Sequence, residues 1–195
     1  ILSKYDKKHI DNIIAYGLNE DQLQIIYGSY LGDGHISITE KKRYRLRIIH
    51  CEKQKEYCSW KANMFGIQQL EYIEKNGYSS KPAYRFATKI FDLENELPKN
   101  TKIIPEWILN SIDERAIAIW MMDDGSICKR TNSICIHSNN YDLETNKKLQ
   151  EKFKRYNIDC SIHISKQKYY QLNFSVDNSN KLINLIKPYI HTSML

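Results

Sequence analysis

Two aspartates end two apolar runs of similar length, and this repetition carries most of the chemistry readable in the chain. Gln24-Ile25-Ile26-Tyr27-Gly28-Ser29-Tyr30-Leu31-Gly32-Asp33-Gly34 is answered by Arg115-Ala116-Ile117-Ala118-Ile119-Trp120-Met121-Met122-Asp123-Asp124-Gly125. Asp33 and Asp124 are each expected at a helix C-terminus, where the helix dipole disfavours a carboxylate and a cation should compensate. If Gly28, Gly32 and Ala118 let the helices pack side by side, both carboxylates reach one spot together with open carbonyls of the last turn. Such oxygen ligands suit Mg²⁺, which can activate water and stabilise the leaving oxygen of a phosphodiester. One Asp-Gly after a helix reads as a common turn. Two, ending equivalent helices of a repeated unit, read as a hard-metal site at a pseudo-twofold axis.

The elements that position these acids repeat as well. Acidic openings, Asn19-Glu20-Asp21 and Ser111-Ile112-Asp113-Glu114, favour helix starts, with Ser111 and Glu114 placed for a capping box. Downstream, the first half reads as strands 35–40 and 43–50, helix 53–64, strands 67–74 and 82–89, and a short helix near 90–97. The second half reads as strands 126–130 and 133–138, helix 142–156, strands 159–166 and 168–176, and helix 178–187. Lys99 to Pro105 is a polar, Pro-bounded junction, so the halves are 1–98 and 99–195, with motif helices at about 20–33 and 112–124. The aspartates stand 91 residues apart, close to one repeat. The expected fold class is α+β: a pseudo-twofold duplication of an αββαββα unit with two antiparallel four-stranded sheets.

Strand parity shows which groups leave the core. Arg43, Arg45 and Arg47 share one face of their strand and Tyr44, Leu46 and Ile48 the other. Arg85 and Lys89 point out against Tyr84 and Phe86. In the second half His163, Tyr169, Gln171 and Asn173 point out, with Arg130 nearby. Such sets hold the donors and acceptors that read base edges and phosphates, although any antiparallel sheet with one wet face is polar there. The arginine row is harder to explain that way, because like charges at alternate positions need a polyanion or countercharges.

Composition agrees with a folded protein and a polyanionic partner: Lys+Arg 29 against Asp+Glu 23 gives +6, with a pI near 8.9. No apolar run approaches the roughly 18 residues needed to span a bilayer, so no membrane partner is expected. Five cysteines without a CxxC encode neither a disulfide framework nor a zinc knuckle, and they read as reduced thiols inside a cell. The chain opens on Ile1 with no charged-then-apolar leader, giving the expectation of a processed, non-secreted protein. Ile, Lys, Asn and Tyr supply 80 of 195 residues, as AT-rich coding DNA would. That bias points to a mitochondrion, a chloroplast, or a bacterial or phage cytoplasm. Six histidines lack metalloprotease spacing and read as surface or sheet residues, and Trp60, Trp107 and Trp120 read as core.

Taken together, Ile26 to Gly34 (IYGSYLGDG) and Ile117 to Gly125 (IAIWMMDDG) resemble the two motifs of single-chain LAGLIDADG homing endonucleases. Lys102-Ile103-Ile104-Pro105-Glu106-Trp107 is similar to the segment entering the second motif, and Asn184 to Ile190 to the family's C-terminal helix with its Pro-Tyr ending. The resemblance covers nearly the whole chain. It implies that the motif helices form the domain interface and that the sheets make a saddle over double-stranded DNA. Two or three Mg²⁺ ions would be shared between Asp33 and Asp124, with the Gly32 and Asp123 carbonyls as further ligands and Lys102 polarising water or phosphate. In relatives a Tyr-Lys follows the equivalent of Thr192 to Leu195 and supplies the second half's basic residue. Ile119, where the first motif has Gly28, implies a looser helix contact; strict twofold symmetry is not expected, and the implied target is long and non-palindromic. The first reading is a monomeric, site-specific endonuclease of a mobile intron or similar element. The alternatives are a group I intron RNA maturase and a catalytically inactive DNA-binding relative.

Overall fold

The computed structural model describes residues 17–39, 43–74, 81–93, 96–98, 103–166 and 169–194. Helix α1 (Glu20–Leu31) starts in a capping box: the Asn19 side chain accepts from the Gln22 amide, and the Gln22 side chain accepts from the Asn19 amide. After it come β1 (His35–Ile38), β2 (Tyr44–Cys51), a 3-10 turn, α2 (Lys55–Met64), β3 (Glu71–Ile73) and β4 (Ala83–Ala87). The second half runs α3 (Glu106–Ser111), α4 (Glu114–Asp124), β5 (Gly125–Cys128), β6 (Ser133–His137), α5 (Leu143–Lys154), β7 (Ser161–Ser165), β8 (Tyr169–Asn173) and α6 (Val176–Ile186). Each half forms a four-stranded antiparallel sheet, ordered β1-β2-β4-β3 and β5-β6-β8-β7. The same strand order twice is the expected duplication. No described helix is long and apolar enough to cross a membrane.

α1 and α4 pack along their length between the sheets. Every residue from Ala116 to Met122 is buried, as is almost all of Leu23 to Leu31, and a helix that is apolar all round has to be interior. The inner face of the first sheet (Leu46, Ile48, Phe86) is covered by Tyr57, Cys58 and Ala62 of α2. The inner face of the second (Ile134, Ile136, Leu172) is covered by Leu149 and Phe153 of α5 and Leu182 and Ile186 of α6. Trp120 and Trp107 are core as expected, while Trp60 is half-buried.

Equivalent motif positions meet across the helix pair, as a twofold axis between parallel helices requires. A Cβ on Gly28 would stand 2.6 Å from the Ile119 Cβ and 2.6 Å from the Ala116 carbonyl oxygen, and a Cβ on Gly32 would stand 2.6 Å from the Asp123 Cβ. The contact at Ile119 is therefore not loose: the glycine opposite makes room for the larger side chain. At the other end Arg115 joins both helix starts, pairing with Glu20, with Asp21 at 2.6 Å and with Asp113 at 2.6 Å. Between these ends the buried Gln24 side chain donates to the Ser111 carbonyl and accepts from the Asp113 amide.

Two local expectations are corrected. Ser111 does not cap α4; it ends α3, its hydroxyl donating to the Trp107 carbonyl, and Asp113 is the N-cap, accepting from the Arg115 and Ala116 amides. No helix forms over the described part of 90–97, residues 94 and 95 lying outside it. There Phe91 exchanges both backbone hydrogen bonds with Tyr44, and the Leu97 amide donates to the Tyr44 hydroxyl. The segment spends its backbone extending the sheet and its Phe91, Leu93 and Leu97 side chains filling the core, which outweighs a weak helical pattern.

Candidate functional site

Because the motif helices lie side by side and stop together, their ends deliver Asp33 and Asp124 to one place. Asp124 is the last residue of α4 and Asp33 follows the end of α1 by two residues. Burial pushes the Asp33 carboxyl up to about 6, with the Asp123 charge adding to the shift and Lys61 opposing it. Burial pushes Asp124 up to about 7, with the negative charges of Asp33 and Asp123 adding and Lys61 again opposing. Three acids thus meet at the axis. The Tyr141 hydroxyl donates to the carbonyls of Leu31 (2.9 Å) and Tyr30 (3.2 Å), so these two carbonyls at the end of α1 already have a partner. Gly32 sits at the C-cap of α1, facing Asp123. Lys102 lies outside the described residues.

The third acid, Asp123, is held differently from the other two. Its side chain is fully buried, and its carboxylate accepts from the Lys61 ammonium at 2.7 and 2.9 Å and from the Tyr57 hydroxyl at 3.0 Å. Tyr57 and Lys61 are one turn apart on α2, with the ammonium 4.4 Å from the Tyr57 ring centroid. His50 of β2 stands against them, its Nε2 3.4 Å from Lys61 Nζ and 3.8 Å from Asp123 Oδ1. Burial and the Lys61 charge push its imidazole down to about 4, so His50 is neutral. Among the described residues, Asp33, His50 and Asp123 are the group whose potential ligand atoms lie within 4.8 Å of one another. The sequence singles out neither Tyr57 nor Lys61, and His50, expected as a surface or sheet residue, lies in the sheet but buried. The available signal was a lysine on the apolar stripe of α2, beside Tyr57, Cys58 and Ala62.

On the first sheet, β2 carries Arg45 and Arg47 on the outer face, opposite Ser37 and His35 of β1. A groove of about 640 Å³ bordered by His35, Arg45, Arg47, Arg85 and Glu71 runs to Asp33. The arginine row is shorter than expected. Arg43 precedes β2 and pairs with Asp92 at 2.8 Å, and Arg85 pairs with Glu71 across the β3–β4 ladder. Countercharges thus account for Arg43 and Arg85. The buried Nε of Arg45 has no hydrogen-bond partner among the described residues.

On the second sheet Asn173 and Gln171 face outward, paired with Cys135 and His137 of β6 and with Ser161 and His163 of β7, and Tyr169 lies opposite Ser165. The Asn173 Oδ1 is likewise buried without a described partner. Lys89 is exposed beyond the end of β4, and Arg130 is exposed in the β5–β6 turn. Each outer face therefore holds a buried polar atom without a described hydrogen-bond partner, as do Ser29, His50 and Trp120 elsewhere.

Residues 23–182 match the LAGLIDADG DNA endonuclease family. The cytochrome b mRNA maturase bI2 of Debaryomyces hansenii is 27% identical in an alignment that covers 91% of this chain and 73% of that protein. The intron-encoded endonuclease ai4 of Dictyostelium discoideum is 25% identical over 87% of this chain and 96% of its own length. RecA proteins of Mycobacterium shimoidei and Mycolicibacterium flavescens match at 30% and 28% identity, and the chain spans only 29% and 31% of their length. Among solved structures, the homing endonuclease I-WcaI bound to its DNA recognition sequence has a TM-score of 0.76 at 24% identity, over 91% of this chain and 85% of that one. I-DmoI in complex with DNA and Mn has a TM-score of 0.51 at 13% identity, over 86% and 97%.

Proposed function

The chain belongs to the LAGLIDADG DNA endonuclease family, and from that premise we propose that it is an active, site-specific endonuclease that cuts both strands of a long, non-palindromic DNA target. The observation that carries this reading is the register of the motif helices. Gly28 faces Ile119 and Gly32 faces Asp123, so the next acids, Asp33 and Asp124, are neighbours between two polar sheet faces. A hard divalent cation fits them: two carboxylates crowd one spot and each has lost part of its solvent. Mg²⁺ held there would supply charge stabilisation at the scissile phosphates and an activated water. Asp33 and Asp124 would hold the ions, with the Gly32 and Asp123 carbonyls as further ligands, and Lys102 would polarise water or phosphate. Arg45, Arg47 and Lys89 position the DNA backbone on the first half, joined by Arg43 and Arg85 as phosphates replace Asp92 and Glu71, while Arg130, His163, Tyr169, Gln171 and Asn173 engage the other half-site. The protein works as an intracellular monomer whose two halves stand in for two subunits.

A second reading, RNA maturation of a group I intron, is favoured by the similarity to the bI2 maturase over 91% of the chain. The separating test is incubation of a randomised duplex pool with and without Mg²⁺ at low salt, where phosphate contacts dominate binding. Metal-dependent enrichment of one site with paired cuts is expected. On that site Asp33→Asn and Asp124→Asn should each abolish at least one strand cut while binding persists. Full double-strand cleavage by either variant would sink the assignment of the acids. Binding without cleavage by the unaltered chain, together with stimulated intron splicing, would favour the maturase.

A further inference from the structure

We propose that the Lys61 ammonium is a built-in counter-cation that withholds the Asp123 carboxylate from the divalent-ion site, leaving Asp33 and Asp124 as the acids that take metal. The inference rests on the metal-site reading above and adds a positioning residue to it. Three acids converge at the axis, and their chemistry alone does not separate them. Asp123, however, is wholly occupied. Both Asp123 oxygens accept from Lys61, at 2.7 and 2.9 Å, Oδ1 also accepts from Tyr57, and neither the Lys61 nor the Asp123 side chain has solvent access. The potential ligand atoms of Asp33, His50 and Asp123 lie within 4.8 Å of one another, two carboxylate oxygens and an imidazole nitrogen. Such a set suits Mn²⁺ or Zn²⁺. In this chain a cation already stands among them, since Lys61 Nζ is 3.4 Å from His50 Nε2 and hydrogen-bonded to Asp123.

The device is one-sided. At the equivalent position of the first motif stands Gly32, where even a Cβ would come within 2.6 Å of the Asp123 Cβ. Only one motif helix therefore carries the extra acid, and only one lysine is needed to neutralise it. The pair also ties the last turn of α4 to α2, which fixes the backbone from which Asp124 projects. Removing one partner of a buried ion pair leaves an uncompensated charge, and a divalent ion is an available replacement.

The test is Mn²⁺ binding to the full chain without DNA, followed by the paramagnetic signal of free Mn²⁺. Lys61→Met is expected to gain one bound ion with an affinity about tenfold or more above any site of the unaltered chain. Lys61→Met combined with Asp123→Asn should lose that ion again, a rescue that a merely structural lysine would not give. Mn²⁺ binding by Lys61→Met that matches the unaltered chain would overturn the inference. Should Lys61→Met fail to fold by circular dichroism, Asp123→Asn alone decides: unchanged Mn²⁺ binding upholds the withheld carboxylate, and loss of an ion overturns it. Failure of the underlying metal-site reading would look different. Asp33→Asn and Asp124→Asn would then leave Mg²⁺-dependent cleavage intact, whatever Lys61→Met binds.

Discussion

Asp33 and Asp124 hold their protons to about pH 6 and about pH 7 in the metal-free protein, against 3.8 for an ordinary aspartate. A folded-state value above the unfolded one contributes stability that is complete below the unfolded value and is lost as the pH rises through the folded value. Asp33 and Asp124 should therefore lower the melting temperature of the metal-free protein as the pH climbs from 3.8 through 7, partly offset between about 4 and 6.5 by the buried His50, whose depressed folded value acts in the opposite direction, and either Asp→Asn variant should flatten that decline. Mg²⁺ should raise the melting temperature most above pH 7, where both carboxylates are ionised. Calorimetric scans in EDTA and in Mg²⁺ across this range check both statements, and a melting temperature in EDTA that does not fall would remove the proton-binding pair. These two acids could be read from the chain because they recur in matched contexts. Lys61 shows in the chain only as a lysine on an apolar helix stripe, and its partner is not legible there, since Asp123 is 62 residues away and the pairing exists only once α2 and α4 are packed.

At the scale of elements, the α1–α4 contact gives glycine an unusual sign. Glycine to alanine inside a helix ordinarily stabilises by about 0.5–1 kcal/mol through chain entropy. At Gly28 the added Cβ would meet the Ile119 Cβ and the Ala116 carbonyl oxygen, each at 2.6 Å, so Gly28→Ala should instead cost about 1–3 kcal/mol in urea unfolding. Adding Ile119→Ala should recover little of this, because alanine keeps the Cβ and the backbone oxygen remains, so only the Cγ2 contact at 2.9 Å is removed. Full recovery would mean that the helices shift apart freely. Alternation located β2, β4 and β8 and their outward faces within a few residues, because a sheet with one buried face enforces period two. Residues 90–97 and Ser111 depart from their local patterns for the opposite reason. Their local patterns are weak, and pairing with Tyr44 in one case and the end of α3 in the other decided the outcome.

Across the whole molecule the duplication preserves topology while the two outer faces diverge in charge. The first sheet presents Arg45 and Arg47 beside Arg85, whereas β5 to β8 contain no lysine or arginine and present Ser, Cys, His, Gln and Asn instead. The basic groups Arg130 and Lys166 of the second half sit in turns at the ends of strands. If both faces lie on one duplex, the halves bind by different physics. Phosphate neutralisation weighs on the first, and neutral hydrogen bonding to base edges on the second. Arg45→Ala and Arg47→Ala should each weaken binding broadly across sequences and, where the arginine meets a phosphate, reduce the slope of log affinity against log salt by about 1. Gln171→Ala and Asn173→Ala should leave that slope unchanged and relax discrimination at single base pairs by about 1–3 kcal/mol. Fluorescence anisotropy on the selected target and its single-base variants, over a series of KCl concentrations, measures both quantities. Equal salt slopes for all four variants would mean that both halves engage the duplex through the same kind of contact, and the division of labour between the sheets would fall.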